Sequence, residues 1–329
     1  MKLRHLNVED CQQLAEGFSK PYHRDYLAMY SSVLGGAVTH PFLMTVPLDD
    51  HMVHRGDGIF EAFKCINGNI YNLEGHLERL ERSARAVHLK LPATLEEITR
   101  LTVGTIRIAG TRDCLVRLFI SRGPGGFTTN PYECSASQCY IVVCRLNPPP
   151  DEHYEQGVAV KSSKIPTKKS YFATIKSCNY LPNVLMKKEA MDAGVQFTIS
   201  IDENGLLGEG STENIGVVTP DLTLKLPRFS RILKGTTVTR IAELAEPLAE
   251  EGKLKRVVFE DITLNEAYSS EEILLFGTTF DVLPVVTFDE HPIGNGRPGP
   301  VYQMLRELFE QDLLTNSALH TPAYSEERK

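Results

Sequence analysis

The sequence predicts an α/β protein of two domains, the first small and mixed, the second larger and built on a closed or nearly closed, barrel-like sheet. Three observations predict it. Stretches with apolar residues three and four apart alternate with many short runs rich in Val, Ile, Phe and Tyr. Pro148-Pro149-Pro150-Asp151 breaks both periods near the middle of the chain, because proline fixes φ and withdraws a backbone donor. A length of 329 residues matches about two domains and can bury a sizeable core. The division is therefore residues 1–147, a linker at 148–151, and residues 152–329.

Taken in order, residues 18–40 are rich in Tyr, Ser and Gly and read as an irregular lead-in. The FLMTVP run reads as a strand and Asp49-Asp50 as a turn. Polar HMVHRGDG, His51–Gly58, ends in the Asp57-Gly58 turn before a strand at Ile59–Ile66. Asn67-Gly68 joins that strand to NIYNL as a type I′ hairpin, which demands positive φ at both turn residues. Glu74–Leu89 reads as a helix with Leu77, Leu80, Ala84 and Val87 as its apolar stripe. Glu78 with Arg82, and Glu81 with Arg85, pair one turn apart on it. A second helix at about 95–109 precedes the strands CLVRLFIS and CYIVVCRL, separated by the loop RGPGGFTTNP.

Beyond the linker, VAVKSS opens the second domain. A helix runs from Tyr180 to near Gly194, followed by the short strands VQFTISID, NIGVVT and LTLKL. A helix starts near Thr236, strands recur at RVVF, EILLFG and PVVTF, and a last helix covers about 301–314 before a polar tail. Gly294-Asn295-Gly296-Arg297-Pro298-Gly299 fits G-x-G-x-x-G. It lacks the strand–turn–helix context, and Pro298 and Pro300 crowd the turn, so no dinucleotide site is read there.

Composition narrows the function. A net charge of −7 with no basic stripe argues against nucleic acid as a partner. No run approaches the roughly 18 apolar residues of a membrane span, and Met1–Gly17 has neither the apolar core of a signal peptide nor the acid-poor character of a transit peptide. Seven cysteines, odd in number and without C-x-x-C spacing, read as reduced thiols of a cytoplasmic protein. His51 and His54 have no third ligand nearby in sequence, so no metal is expected.

The chemistry concentrates between Ile175 and Val218. Lys176 stands between a β-prone approach, SYFATI, and an apolar stretch, away from the Lys187-Lys188 pair. A lysine in apolar surroundings loses stabilisation of its charge, so its amine can attack carbonyls. Glu209 follows 33 positions later between Gly208 and Gly210, where absent side chains leave room for a flat ligand against the backbone. An amine and a carboxylate beside a glycine-lined surface meet the needs of pyridoxal phosphate, which takes the amine at its aldehyde and the carboxylate at its ring nitrogen. By residue type alone, a solvated lysine and an ordinary turn fit the same letters.

Four ordered strings, KSCNYLPN, EGSTENIGVV, RILKGTTVTRIAEL and LLFGTTFDVLPVV, carry more information, as do VPLDDHMVHRGDGIFEAF and GHLERLERSA before them. Together they resemble the class IV aminotransferases, pyridoxal-phosphate enzymes of fold type IV, from about Tyr30 to about Leu314. Within that family the DDHMVHRG and KSCNYLPNVL strings are most similar to the plant-type D-amino-acid transaminases. The resemblance implies a small α/β N-terminal domain, a larger C-terminal domain with a barrel-like sheet, and a homodimer. It implies pyridoxal 5'-phosphate as cofactor and an amino acid and a 2-oxo acid as substrates. Lys176 would hold the cofactor and move the proton, Glu209 would meet the ring nitrogen, and Tyr180 the ring oxygen. Arg79 in the H-x-x-R-L segment, with Gly235-Thr236-Thr237 and Gly277-Thr278-Thr279, would bind the phosphate. A guanidinium fork and the free N–H groups of a helix start suit a dianion. Taken without the resemblance, Arg79 reads as a solvated helical arginine, Tyr180 as a packed tyrosine, and the G-T pairs as common turns.

Substrate choice rests on two arginines. Arg117 lies inside an apolar strand, so it must meet an acid, either a protein carboxylate or the ligand. Branched-chain aminotransferases carry an active-site arginine at the equivalent place. Arg55 stands where those enzymes place the tyrosine of H-Y-G, which implies a more cationic pocket. The expectation is that Arg55 and Arg117 receive a substrate carboxylate and that D-amino acids are favoured. A branched-chain L-amino-acid aminotransferase remains open. So does an aminodeoxychorismate lyase, because SRGPGG resembles the SRGxGG of the lyases.

Overall fold

The structure is a computed structural model and describes residues 3–324. Of these, residues up to 70, 89–146 and 322–324 form one compact unit, and residues 71–88 with 147–321 form another. Residues 71–88, within the first domain of the sequence-based division, therefore pack with the later part of the chain.

The first unit contains α1 (Val8–Glu16), β1 (Tyr26–Ser31), β2 (Gly36–Val38), α2 (His51–Arg55), β3 (Gly58–Ile66) and most of β4 (Asn69–Tyr71). The chain gives α3 (Leu73–Ala86) to the second unit, then returns with α4 (Leu95–Ala109), β5 (Cys114–Ser121) and β6 (Gln138–Cys144). Its sheet runs β4-β3-β5-β6-β1-β2 and is antiparallel throughout. β3 and β5 pair from Gly58↔Ser121 to Cys65↔Cys114. That register puts Ile59, Phe63 and Cys65 beside Ile120, Val116 and Cys114 on one face, all of them fully buried. The turn between β3 and β4 has Asn67 at φ 53° and Gly68 at φ 83°, as the Asn-Gly pair requires.

Two expectations fail in this unit. The lead-in at 18–40 contains β1, an interior strand paired with both β6 and β2. Tyr and Ser are acceptable in a strand that alternates between two faces, so composition concealed it. FLMTVP is not a strand. Pro41–Leu43 form a 3₁₀ turn capped by His40 Nδ1, and Pro41 and Pro47 bracket the run without the donors that a ladder needs.

The second unit contains α3, then α5 (Asp151–Glu155), β7 (Val158–Ser163), α6 (Ser170–Ala173), α7 (Leu181–Asp192), β8 (Phe197–Ile201), β9 (Leu207–Gly210) and β10 (Asn214–Val218). It continues with β11 (Thr223–Leu226), α8 (Thr236–Glu250), β12 (Arg256–Phe259), α9 (Leu264–Tyr268), β13 (Glu272–Gly277), β14 (Asp281–Phe288), β15 (His291–Pro292) and α10 (Pro300–Thr315). The strand order is β12-β11-β10-β13-β14-β7-β8-β9, with β15 on β14. The sheet is mixed, since β14–β7, β7–β8 and β11–β12 are parallel. β9 turns straight back into β10 through Gly210 N–H to Glu213 O at 2.8 Å. The six strands from β10 round to β9 thus curl into the barrel-like sheet that was expected. Val158, Ile199, Ile215, Leu275, Leu283 and Phe288 fill its core. SYFATI departs from its β-prone reading: Ser170–Ala173 is one helical turn, α6.

No helix among the described residues is long and apolar enough to cross a membrane.

Candidate active site

The site is built on α3, which is buried along two stripes. Leu73, Leu77, Leu80 and Ala84 form the apolar one, and Glu78–Arg82 and Glu81–Arg85 pair on the solvent side at 3.7 and 2.6 Å. His76, Arg79 and Ser83, also three and four apart, form a buried polar stripe beside it. Arg79 Nη1 donates to Lys234 O at 3.1 Å, and Nη2 lies 3.4 Å from His76 Nδ1. His76 Nε2 in turn lies 3.3 Å from Thr236 Oγ1. The buried guanidinium is therefore held at the N-terminus of α8, where Gly235 is the cap and the first N–H groups have no partner within the helix. Thr237 is buried in that first turn.

The same helix fixes Lys176. Ser83 Oγ accepts the Lys176 backbone N–H at 3.3 Å, and the Tyr171 hydroxyl donates to Ala86 O at 2.5 Å. Lys176 is half-buried and lines a narrow cleft with Lys168, Tyr180, Asn183, Glu209 and Leu233.

Glu209 leaves β9 into this cleft. Its Oε2 accepts the Leu233 N–H at 3.0 Å, and Oε1 accepts no hydrogen bond from the described residues. Some of its surface stays open, yet protein surrounds the carboxylate closely enough that burial pushes its pKa above the ordinary carboxylate range. The Lys168 ammonium, the Leu233 N–H, Lys176 and Arg79 oppose that shift in this order and do not cancel it. The glycines beside Glu209 serve packing rather than a ligand. A Cβ on Gly208 would lie 2.4 Å from Ser200 Oγ, and one on Gly210 would lie 1.9 Å from Glu213 Oε1.

One short segment joins the two ends of the site. Leu233 holds Glu209, Lys234 O holds Arg79, and Gly235 caps α8. Asn214 locks this segment from β10. Its Nδ2 donates to Leu233 O at 3.0 Å, and its Oδ1 sits where a Gly235 Cβ would be, 2.0 Å away. Asn214 also pairs with Phe276 near the end of β13, so the Gly277-Thr278-Thr279 turn, with its two threonines half-buried, leaves the sheet beside it. The structure thus brings Arg79, Thr236, Thr237 and Glu209 onto one framework, with Thr278 and Thr279 on the neighbouring strand end and Lys176 and Tyr180 along the cleft.

Sequence reasoning missed Lys168, Leu233, Asn214 and Asn183. Asn183 Nδ2 donates to Ser211 O at 2.7 Å, while its buried Oδ1 has no partner among the described residues. Asn183, Asn214 and Leu233 lay in strings already singled out. Lys168 was hidden in a Lys-Lys doublet, and Leu233 acts through its backbone.

Arg55 and Arg117 belong to the first unit. Arg55 is exposed, and donates to His54 O at 2.9 Å, to Thr128 O at 3.3 Å and to Phe127 O. Arg117 is exposed too, contrary to the expectation of a buried arginine. Val116 and Leu118 face the core, and strand alternation turns Arg117 to the opposite side. The apolar run concealed a two-faced strand.

A barrel-like sheet with an amine, an enclosed carboxylate and a buried arginine at a helix start is what a cofactor enzyme acting on amino groups needs. The fold is that of a branched-chain amino acid aminotransferase from T.th. solved with pyridoxamine 5'-phosphate, at TM-score 0.83 and 23% identity over 91% of this chain and 99% of that one. The chain is 40% identical over 295 residues to the chloroplastic D-amino-acid transaminase of Arabidopsis thaliana, covering 88% of this chain and 77% of the relative. A putative branched-chain-amino-acid aminotransferase of Methanocaldococcus jannaschii is 31% identical over 80% of this chain and 90% of its own length. The amino-transferase class IV family matches residues 58–288, and the chain belongs to that family.

It is therefore a pyridoxal 5'-phosphate-dependent aminotransferase whose substrates are an amino acid and a 2-oxo acid. The residues fit the cofactor. Glu209 keeps one oxygen unbonded, Arg79 is buried at a helix start, and the Leu233–Gly235 segment is bonded to both.

Proposed function

We propose that the chain transfers amino groups with a preference for D-amino acids, and that Lys176 is its catalytic residue. The preference is supported by similarity to the Arabidopsis transaminase. The site assignment is carried by one observation: the adjacent residues Leu233 and Lys234, directly before the α8 cap Gly235, grip Glu209 and Arg79 respectively. Pyridoxal 5'-phosphate, when bound, supplies an aldehyde for the amino group and a ring that accepts electrons from the α-carbon. Arg79, the first N–H groups of α8 and the hydroxyls of Thr236, Thr237, Thr278 and Thr279 would bind its phosphate. Glu209 Oε1 would keep a proton on the ring nitrogen, and the Tyr180 hydroxyl would meet the ring oxygen. Lys176 Nζ would anchor the cofactor and, once displaced by substrate, take the α-proton and return it one atom along.

Arg55 and Arg117 are proposed to meet a substrate carboxylate. Three of the five Arg55 N–H groups are engaged by backbone carbonyls, which leaves two for a ligand. We also propose a cytoplasmic homodimer of two folding domains, in keeping with an odd number of cysteines without C-x-x-C spacing and a linker at 148–151. The test is a half-reaction screen that follows cofactor absorbance with paired D- and L-amino acids. Turnover of D-alanine or D-aspartate ahead of the L-isomers supports the reading. Faster reaction with L-leucine or L-valine replaces it with the branched-chain alternative, and product formed without any amino acceptor replaces it with the lyase.

A further inference from the structure

Three cations act on the Glu209 carboxylate: Lys176, Arg79 and Lys168. The first two already have roles toward the cofactor, and Lys168 has none. Its ammonium lines the cleft and lies 5.2 Å from the centre of the Tyr180 ring. It makes no ion pair with any described carboxylate, although it is the cation that acts most strongly on Glu209. Burial lowers its pKa and the Glu209 carboxylate opposes that shift, so each group favours the charged form of the other.

The placement is built in at both ends of the segment before α6. The Glu189 carboxylate accepts the Ser163 hydroxyl at 2.5 Å and the Lys164 N–H at 3.2 Å. The Thr167 methyl lies 3.0 Å from where a Cβ on Gly208 would stand. Thr167 is thereby held against β9, the strand that carries Glu209, and the Lys168 ammonium next to it in sequence lies over the aromatic ring of Tyr180.

We propose that Lys168 is a positioning residue whose ammonium keeps Glu209 ionised, so that the carboxylate is ready for the ring nitrogen of the cofactor. The proposal rests on Glu209 being that partner. A carboxylate as enclosed as this one would otherwise take up a proton and could not hold a second on the ring. The ammonium acts across the cleft without a direct contact, which leaves Oε1 open.

The experiment measures affinity of the cofactor-free chain for pyridoxal 5'-phosphate between pH 5 and 9, by fluorescence quenching, in Lys168→Gln, Lys168→Met, Lys168→Arg and Glu209→Gln. Removing a neighbouring opposite charge raises a carboxylate pKa by about one unit or more. Lys168→Gln and Lys168→Met should therefore move the acid limb of binding up by about one pH unit, a loss of about tenfold on that limb. Lys168→Arg should restore it, and borohydride should still attach the cofactor at Lys176 in all three. If Glu209→Gln abolishes the limb while Lys168→Gln and Lys168→Met leave it in place, the proposal is wrong and the role of Glu209 stands. If Glu209→Gln leaves the limb in place, the reading of Glu209 fails first. If Gln, Met and Arg at 168 all weaken binding equally, Lys168 serves packing alone and the proposal falls.

Discussion

Two glutamates lie four residues apart at the turn between β9 and β10, and the chain treats them differently. Glu213 is buried, and it accepts the Ser211 N–H at 3.1 Å, the Thr212 N–H at 2.8 Å and the Thr212 hydroxyl at 2.8 Å. Burial raises its pKa against these donors. Glu209 has one backbone donor and one oxygen left over. The first is a carboxylate consumed by its own turn, the second a carboxylate reserved for something else. What separates them, besides the part-open surface of Glu209, is whether a second oxygen remains unbonded among the described residues.

The largest effect that would sharpen this contrast is on turnover. Glu209→Gln should lower kcat by about 10²–10³-fold, the usual loss for one positioned charge contact, with the melting temperature nearly unchanged. Glu213→Ala should do the reverse. With two buried N–H groups left unpaired it should cost about 2–4 kcal/mol in denaturant unfolding, while activity per folded molecule persists. Equal kinetic losses in both variants would erase the distinction. Gly210→Ala forces a methyl into the Glu213 carboxyl and should cost about 2–3 kcal/mol, and this loss should shrink when combined with Glu213→Ala. Asn214→Ala frees Leu233 and should cost about 1–2 kcal/mol, with a weaker cofactor affinity by equilibrium dialysis.

Acidity gives the gentlest test. Because its pKa lies above the ordinary range, Glu209 takes up a proton before a solvated carboxylate does as pH falls. The grip on the ring nitrogen proposed for it would be complete above that raised value and lost below it. Cofactor affinity titrated downward from pH 8 should decline before ordinary carboxylates titrate, near pH 4. A decline confined to that lower range would return Glu209 to the company of solvated acids.

Much of the architecture was legible because local rules agreed with it. Asn67-Gly68 could hardly be anything but a tight hairpin, and the residues of β5, β12 and β13 stand in the sequence as uninterrupted β-rich runs. Arg79 was legible as a candidate, but its burial was not. The apolar stripe of α3 masks a second stripe, His76, Arg79 and Ser83, at the same helical spacing. Reading both faces would have found it. Leu233 and Lys234 could not be found at all, because they act through a backbone N–H and a backbone carbonyl that any residue but proline supplies. Gly208 and Gly210 were read as space for a ligand. Their space is taken by Ser200 and Glu213, a distinction that letters alone do not carry.

The Leu233–Gly235 segment works as a ruler. Two residues of extended backbone span about 7 Å at most, and the carboxylate and the arginine are held by the N–H of the first and the carbonyl of the second. Lengthening it by a single residue would leave every named side chain in place and still pull the two grips out of step. A ligand spanning only one of them, such as free phosphate or an unphosphorylated pyridine, would then notice little, while the intact cofactor would lose its fit.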